Sequence, residues 1–211
     1  MTIDAVVFDM DGVLIDAKDW HYDALNRALK LFGLSISRVD HLTTFDGLPT
    51  KRKLEMLGVT EGFPRELHDF TNQLKQCYTM EIVNARCKPT FVHEYALSRL
   101  KSRGLKLGVA SNSIRASVAS MMERSRLDRY LDVMLSNEDV AKAKPDPEIY
   151  LEAMKRLCVE PHRTLIVEDN EHGIRAARAA GAHVMVVQSV EDVNLSNIDS
   201  RIAEIANEVR A

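Results

Sequence analysis

The sequence is short of cysteine, and the three it has are not spaced for chemistry. Cys77, Cys87 and Cys158 are odd in number and lack paired zinc-ligand spacing, so neither a disulfide framework nor a structural metal is expected. A reducing, cytoplasmic setting is the simplest reading. Long apolar runs are absent, and none approaches the roughly 20 residues that cross a bilayer. The N-terminus lacks the basic region, apolar run and small-residue cleavage site of a signal peptide. Positive charge is not in excess: 28 Lys and Arg stand against 31 Asp and Glu, which leaves no electrostatic footprint for nucleic acid. The seven His are scattered, and no repeat or low-complexity segment stands out. What remains is a globular chain of 211 residues, 45% hydrophobic, enough for one large domain or a core with a modest insert.

The first strand organises the rest. Ile3 to Phe8 is rich in β-favouring residues and runs into Asp9-Met10-Asp11-Gly12-Val13. Two carboxylates at i, i+2 in an extended chain share one face, and their repulsion is costly unless a cation sits between them. Gly12 permits a tight exit, so Asp9 and Asp11 lie at a strand end, where open α/β sheets bind ligands. Taken alone, both are as readily loop acids in a turn.

After Ile15 the text turns helical. Trp20, Ala24, Leu25, Ala28, Leu29 and Phe32 predict a helix over about 19–32, closed by Gly33. Val39 to Phe45 leads to the turn Asp46-Gly47-Leu48-Pro49-Thr50, then a helix from Lys51 to Leu57 stopped by Gly58. Pro64 opens a longer helix with Leu67, Phe70, Leu74, Tyr78 and Ile82 on its apolar side. Beyond it, helices and strands alternate: helix 92–103, strand 105–110, helix 114–124, strand 133–135, helix 147–157 behind Asp146, strand 164–167, helix 171–180 and strand 183–187. That rhythm argues an α/β fold, a doubly wound parallel-sheet (Rossmann-like) core with an inserted α-helical cap. The expected boundaries are 1–15 and 84–211 for the core and 16–83 for the cap.

Three further stations fall at strand ends. Ser111-Asn112-Ser113 precedes a helix, where hydroxyl and backbone N–H groups make an anion site or an ordinary N-cap. Lys144, ahead of Pro145-Asp146-Pro147, is placed to neutralise a phosphate, or to be a solvated surface lysine. Glu168-Asp169-Asn170 repeats the acidic chemistry of the first station, and hard oxygen ligands suit Mg²⁺.

In this order Asp9-Met10-Asp11-Gly12-Val13, Val109-Ala110-Ser111-Asn112-Ser113, Lys144-Pro145-Asp146-Pro147 and Val167-Glu168-Asp169-Asn170 with Gly173 resemble the haloacid dehalogenase (HAD) superfamily. Within it the chain is similar to the branch of β-phosphoglucomutase and sugar-phosphate phosphatases, over nearly its whole length. The resemblance implies Asp9 as the nucleophile that forms an aspartyl-phosphate and Asp11 as general acid and then base. It implies Mg²⁺ held by Asp9, the Asp11 carbonyl and Asp169, with Glu168 nearby or bound through water. Ser111 and the backbone of Asn112 would hold phosphoryl oxygens, with Lys144 balancing charge. Two departures, Asn170 for the usual serine and Lys88-Pro89-Thr90 for a Pro-Gly pair, lie away from the chemistry.

Members that break carbon–halogen bonds, or phosphonates through a Schiff-base lysine, generally lack the second aspartate, so Asp11 favours phosphate chemistry. The expected activity is a Mg²⁺-dependent phosphatase acting on a small phosphate monoester, such as a phosphorylated sugar. The alternatives are a sugar phosphomutase and a non-catalytic binding domain on the same fold. The cap resembles a mobile lid that reads the leaving group, with His21, Thr50, Lys51 and Lys75 as its candidate contacts; each is otherwise a solvated helix residue. A monomer is expected, with neither nucleic acid nor membrane as partner.

Overall fold

The computed structural model describes residues 2–45 and 47–208, so Asp46 of the predicted turn lies outside it. In chain order come β1 (Ala5–Phe8), α1 (Lys18–Lys30), α2 (Arg38–Asp40) leading into a π-helical turn at His41–Phe45, and α3 (Thr50–Thr60). A 3₁₀ turn at Arg65–Leu67 precedes α4 (His68–Arg86), followed by α5 (Phe91–Ser102), β2 (Lys106–Ala110), α6 (Arg115–Arg124) and β3 (Val133–Leu135). Then follow α7 (Glu148–Leu157), β4 (Thr164–Glu168), α8 (Glu171–Ala179), β5 (His183–Val186) and α9 (Leu195–Glu208). The chain divides into two compact units, Met1–Asp16 with Lys88–Ala211, and Ala17–Cys87.

The first unit is built on a five-stranded sheet of order β3-β2-β1-β4-β5, every neighbouring pair parallel. This is the doubly wound α/β arrangement expected. Ala5 to Phe8 are all buried because a central parallel strand is covered on both faces. Alternation divides them: Ala5 and Val7 join Ala110, Ile166 and the apolar stripes of α7 and α8 in one core cluster. Val6 and Phe8 point the other way, which leaves α5, in contact with β2 and α9, over the opposite face. Phe8 pairs with Val109 on one side and Val167 on the other. The three strand ends that carry the motifs are therefore level.

Helix α9 lies beyond the sequence reading, although Leu195, Ile198, Ile202 and Ile205 carry helical spacing, and Ile198 and Ile205 are buried. Helix α7 begins at Glu148, whose N–H donates to Asp146 Oδ1 at 3.1 Å.

In the second unit α1 packs along α4, and Leu25, Leu29, Ile36, Phe45, Leu54, Leu57 and Phe63 form its core. Gly58 does not stop α3, which continues to Thr60; burial of Leu54 and Leu57 outweighs a mid-helix glycine cost of about 1 kcal/mol. The apolar stripe predicted for α4 is also corrected. Its buried row is Thr71, Lys75, Thr79 and Val83, one position along from Phe70, Leu74, Tyr78 and Ile82. Phe70 is half exposed and meets Phe32 edge-on, while Tyr78 lies under the Arg27 guanidinium, 4.0 Å from the ring centroid. The large side chains are thus satisfied at the rim of the unit.

Asn26 clamps the chain after α1: its Nδ2 donates to the Ile36 carbonyl at 3.0 Å and its Oδ1 accepts from the Ile36 N–H at 2.7 Å. Asn26→Ala strands both buried backbone groups and should cost about 1–3 kcal/mol. The expected readout is a lower urea midpoint with unchanged slope.

Candidate active site

Four loops at the carboxyl edge of the first unit's sheet supply the site. Asp9 follows β1, its N–H continuing the ladder to Val167 O at 2.9 Å. The chain then folds back tightly, with Gly12 at φ 89°, its N–H on Ile15 O at 2.7 Å, and Ile15 N–H on Met10 O at 2.9 Å. A residue with a side chain would be strained at that φ. This turn presents Asp11, whose Oδ2 accepts from Ser113 Oγ at 2.8 Å. Ser111, buried at the end of β2, accepts the Ser113 N–H on its own Oγ at 3.0 Å. Asn112 Oδ1 accepts the Lys144 N–H at 3.1 Å, tying the loop after β2 to the loop before α7.

Lys144 is not a solvated lysine. Its side chain is 4% exposed, and its ammonium donates to Asp9 Oδ1 at 2.6 Å, Glu168 Oε1 at 2.8 Å and Ala110 O at 2.9 Å. All three ammonium protons are used. Its peptide bond to Pro145 is cis. Glu168, 1% exposed at the end of β4, also receives the Tyr150 hydroxyl on Oε1 at 2.5 Å and the Asp169 N–H on Oε2 at 3.1 Å. Gly173, in the first turn of α8, makes room for that carboxylate: a Cβ there would stand 1.7 Å from Glu168 Oε1. Asn170 caps α8 by accepting the His172 N–H at 2.9 Å.

The electrostatics follow from this crowding. Asp9 has its pKa raised well above the usual carboxylate value, first by burial and then by Glu168, Asp169 and Asp11, against the pull of Lys144. Burial acts to lower the Lys144 pKa, but Asp9 and Glu168 outweigh it and hold the ammonium charged. Burial, then Glu168 and Asp9, pushes the Tyr150 phenol well up, so it stays a donor.

Four carboxylates against one ammonium leave the cluster short of positive charge. One ligand atom from each of Asp9, Glu168 and Asp169 lies within 4.8 Å of the others. These donors are all hard oxygens, with neither imidazole nor thiolate, so the residues present fit a Mg²⁺-like dication.

The four candidate cap residues belong to the second unit. Lys75 on α4 is buried, and its ammonium lies 3.0 Å from Nδ1 of His21 on α1. The reading of these two as solvated surface residues does not survive. Thr50 opens α3 and Lys51 is exposed on it, whereas Lys53, passed over in the sequence, is buried beside Leu54. Its signal was its place on the 53–54–57 stripe. Tyr150 was also passed over, since a tyrosine among Ile149, Ala153, Met154 and Leu157 reads as core. Ser113 was visible within its motif.

Residues 6–187 match the haloacid dehalogenase-like hydrolase model. The chain belongs to that family. This hydrolase is 31% identical over 198 residues to a phosphorylated carbohydrates phosphatase of Thermotoga maritima, covering 90% of this chain and 88% of that protein. It is 29% identical to a phosphoglycolate phosphatase of Nitrosospira multiformis, covering 89% and 84%. The crystal structure of β-phosphoglucomutase from Clostridium difficile superposes with a TM-score of 0.85 at 22% identity, covering 97% of this chain and 99% of that one; at that identity the likeness bears on the fold.

Because the folded hydrolase holds the Asp9 proton more tightly than the unfolded chain does, ionising Asp9 removes stability as pH rises from the unfolded pKa through the folded one. In chelator, Asp9→Asn should melt above the wild type at pH 8. That gap should close below about pH 4, where the unfolded carboxyl is protonated too. Thermal unfolding across this range is the measurement.

Proposed function

We propose that this hydrolase is a Mg²⁺-dependent phosphatase that removes phosphate from a small phosphate monoester, a phosphorylated sugar or related metabolite, through an aspartyl-phosphate on Asp9. The observation that carries the reading is Asp9 at the end of the central strand, 2.6 Å from the Lys144 ammonium and clustered with Asp169 and Glu168. The phosphorylated carbohydrates phosphatase and phosphoglycolate phosphatase among its relatives support hydrolysis of such esters.

In this reading an Asp9 oxygen attacks phosphorus while the leaving alcohol takes a proton from Asp11, which Ser113 orients by its 2.8 Å hydrogen bond. Water then attacks the aspartyl-phosphate, its proton passing to Asp11, and phosphate leaves with Asp9 restored. The Ser111 hydroxyl and the Asn112 N–H hold phosphoryl oxygens, and Lys144 offsets charge at Asp9. The Asp9 and Asp169 carboxylates and the Asp11 carbonyl would hold Mg²⁺, which when bound neutralises charge on the phosphoryl group. Glu168, its oxygens already engaged by Lys144, Tyr150 and the Asp169 N–H, supports this set from behind.

The deciding experiment is a screen of phosphate monoesters with Mg²⁺ that also scores isomerised product, which would mark a mutase. Asp9→Asn should abolish turnover of the best ester by orders of magnitude, as loss of a nucleophile does. Chelation should stop turnover and Mg²⁺ restore it. In a single turnover with excess enzyme, acid quenching should trap phosphate on the protein as an acyl phosphate that hydroxylamine releases from Asp9. Wild-type turnover by Asp9→Asn would exclude the covalent route.

The pair formed by buried Lys75 and half-buried His21 is proposed to recognise the leaving group, with Thr50 and Lys51 as further candidates. Lys75→Met should lower kcat/KM for the best sugar phosphate by about 1–3 kcal/mol in transition-state terms. A small aryl phosphate should be turned over as before. Equal losses on both substrates would return Lys75 to a role in folding.

A further inference from the structure

The hydrogen bond from Tyr150 to Glu168 is not explained by packing. Tyr150 is fully buried in the apolar cluster shared by β1, β4, α7 and α8. A phenylalanine would fill the same space, and burying a hydroxyl there is unfavourable unless it has a partner. That partner is Glu168, and the oxygen Tyr150 chooses is the one that also receives Lys144, at 2.5 and 2.8 Å. The Lys144 ammonium in turn stands 4.7 Å from the centre of the Tyr150 ring. The Glu168 carboxylate plane turns about a soft, two-fold torsion. The Asp169 N–H holds Oε2 at 3.1 Å, but on Oε1 the Lys144 ammonium is a point charge that follows its acceptor. The hydroxyl of a rigid ring on that same oxygen, with Gly173 leaving room for the carboxylate, fixes the plane.

We infer that Tyr150 is a positioning residue for the reaction centre: by holding Glu168 in one orientation, its hydroxyl keeps Lys144 seated on Asp9 and the carboxylate cluster set for a divalent cation. The inference rests on the metal-dependent reading above, and it assigns to α7 a part in the chemistry that no motif residue shares. The bond acts through two intermediaries, Glu168 and Lys144, so it should influence the cation and the chemical step without touching substrate. Partners of this kind, standing behind metal ligands, typically carry about 10–100-fold in metal affinity or activity.

Tyr150→Phe in the full chain tests this. Calorimetric titration with Mg²⁺ alone should show about tenfold weaker binding. At saturating Mg²⁺ the kcat for the best phosphate ester should fall about tenfold, with KM unchanged. Ile149→Val, which trims the same buried helix face without reaching Glu168, should leave Mg²⁺ affinity and kcat as in the wild type. Tyr150→Phe with both values within twofold of the wild type overturns the inference, as does an equal loss in Ile149→Val, which would reduce Tyr150 to packing. If the wild type hydrolyses no ester, the phosphatase reading falls and the Mg²⁺ titration alone decides the role of Tyr150.

Discussion

The ammonium of Lys144, shared between Asp9 and Glu168, is the interaction on which the rest depends. β1 and β4 are neighbours in register, so Asp9 and Glu168, both buried at their ends, are held close together. Without a cation, two such carboxylates would not both stay charged. Lysine is seldom buried this deeply, because desolvating an ammonium is costly unless every proton finds an acceptor. Here the Ala110 carbonyl supplies the third acceptor, which draws the end of β2 into the same arrangement.

One cation does not balance the site, and this shortfall links structure to chemistry. The sheet imposes proximity on groups that repel, and burial first, then the neighbouring carboxylates, raises the Asp9 pKa against the pull of Lys144. One face of β1, Ala5 and Val7, packed against the α7 and α8 stripes, helps hold these groups in place. A site of this kind is receptive to added positive charge, and its hard oxygen donors fit a dication. Local instability and function are then two views of one charge imbalance.

The motifs were legible because parallel strands leave short, unambiguous runs of apolar residues, and whatever follows such a run stands at the ligand-binding edge. Asp9, Ser111 and Asp169 needed only that argument. Lys144 was readable as a candidate but not in its depth, since no local pattern distinguishes a buried lysine from a solvated one. The second unit was less legible. On α4 the large apolar side chains suggested one stripe while the structure buries Thr71, Lys75, Thr79 and Val83. Aromatic rings at a rim are covered by neighbours distant in sequence, such as Arg27 over Tyr78, and no periodicity reports that. Tyr150 was hidden for the opposite reason, its pattern being core and only its hydroxyl being polar.

The strand order carries a consequence for how the enzyme comes into being. β1 is made first and lies in the middle, yet Ala5 pairs with Lys106 on one side and Thr164 on the other. During synthesis this apolar strand therefore waits for about half the chain before β2 can cover one edge, and longer still before β4 can cover the other. Contacts so distant in sequence form slowly, and an uncovered strand is open to wrong partners meanwhile. Asp9 meets Glu168 only when β4 docks. A chain ending before β4 carries Asp9 and Lys144 but lacks Glu168 and Asp169, so the full cluster of charges forms only with the completed sheet.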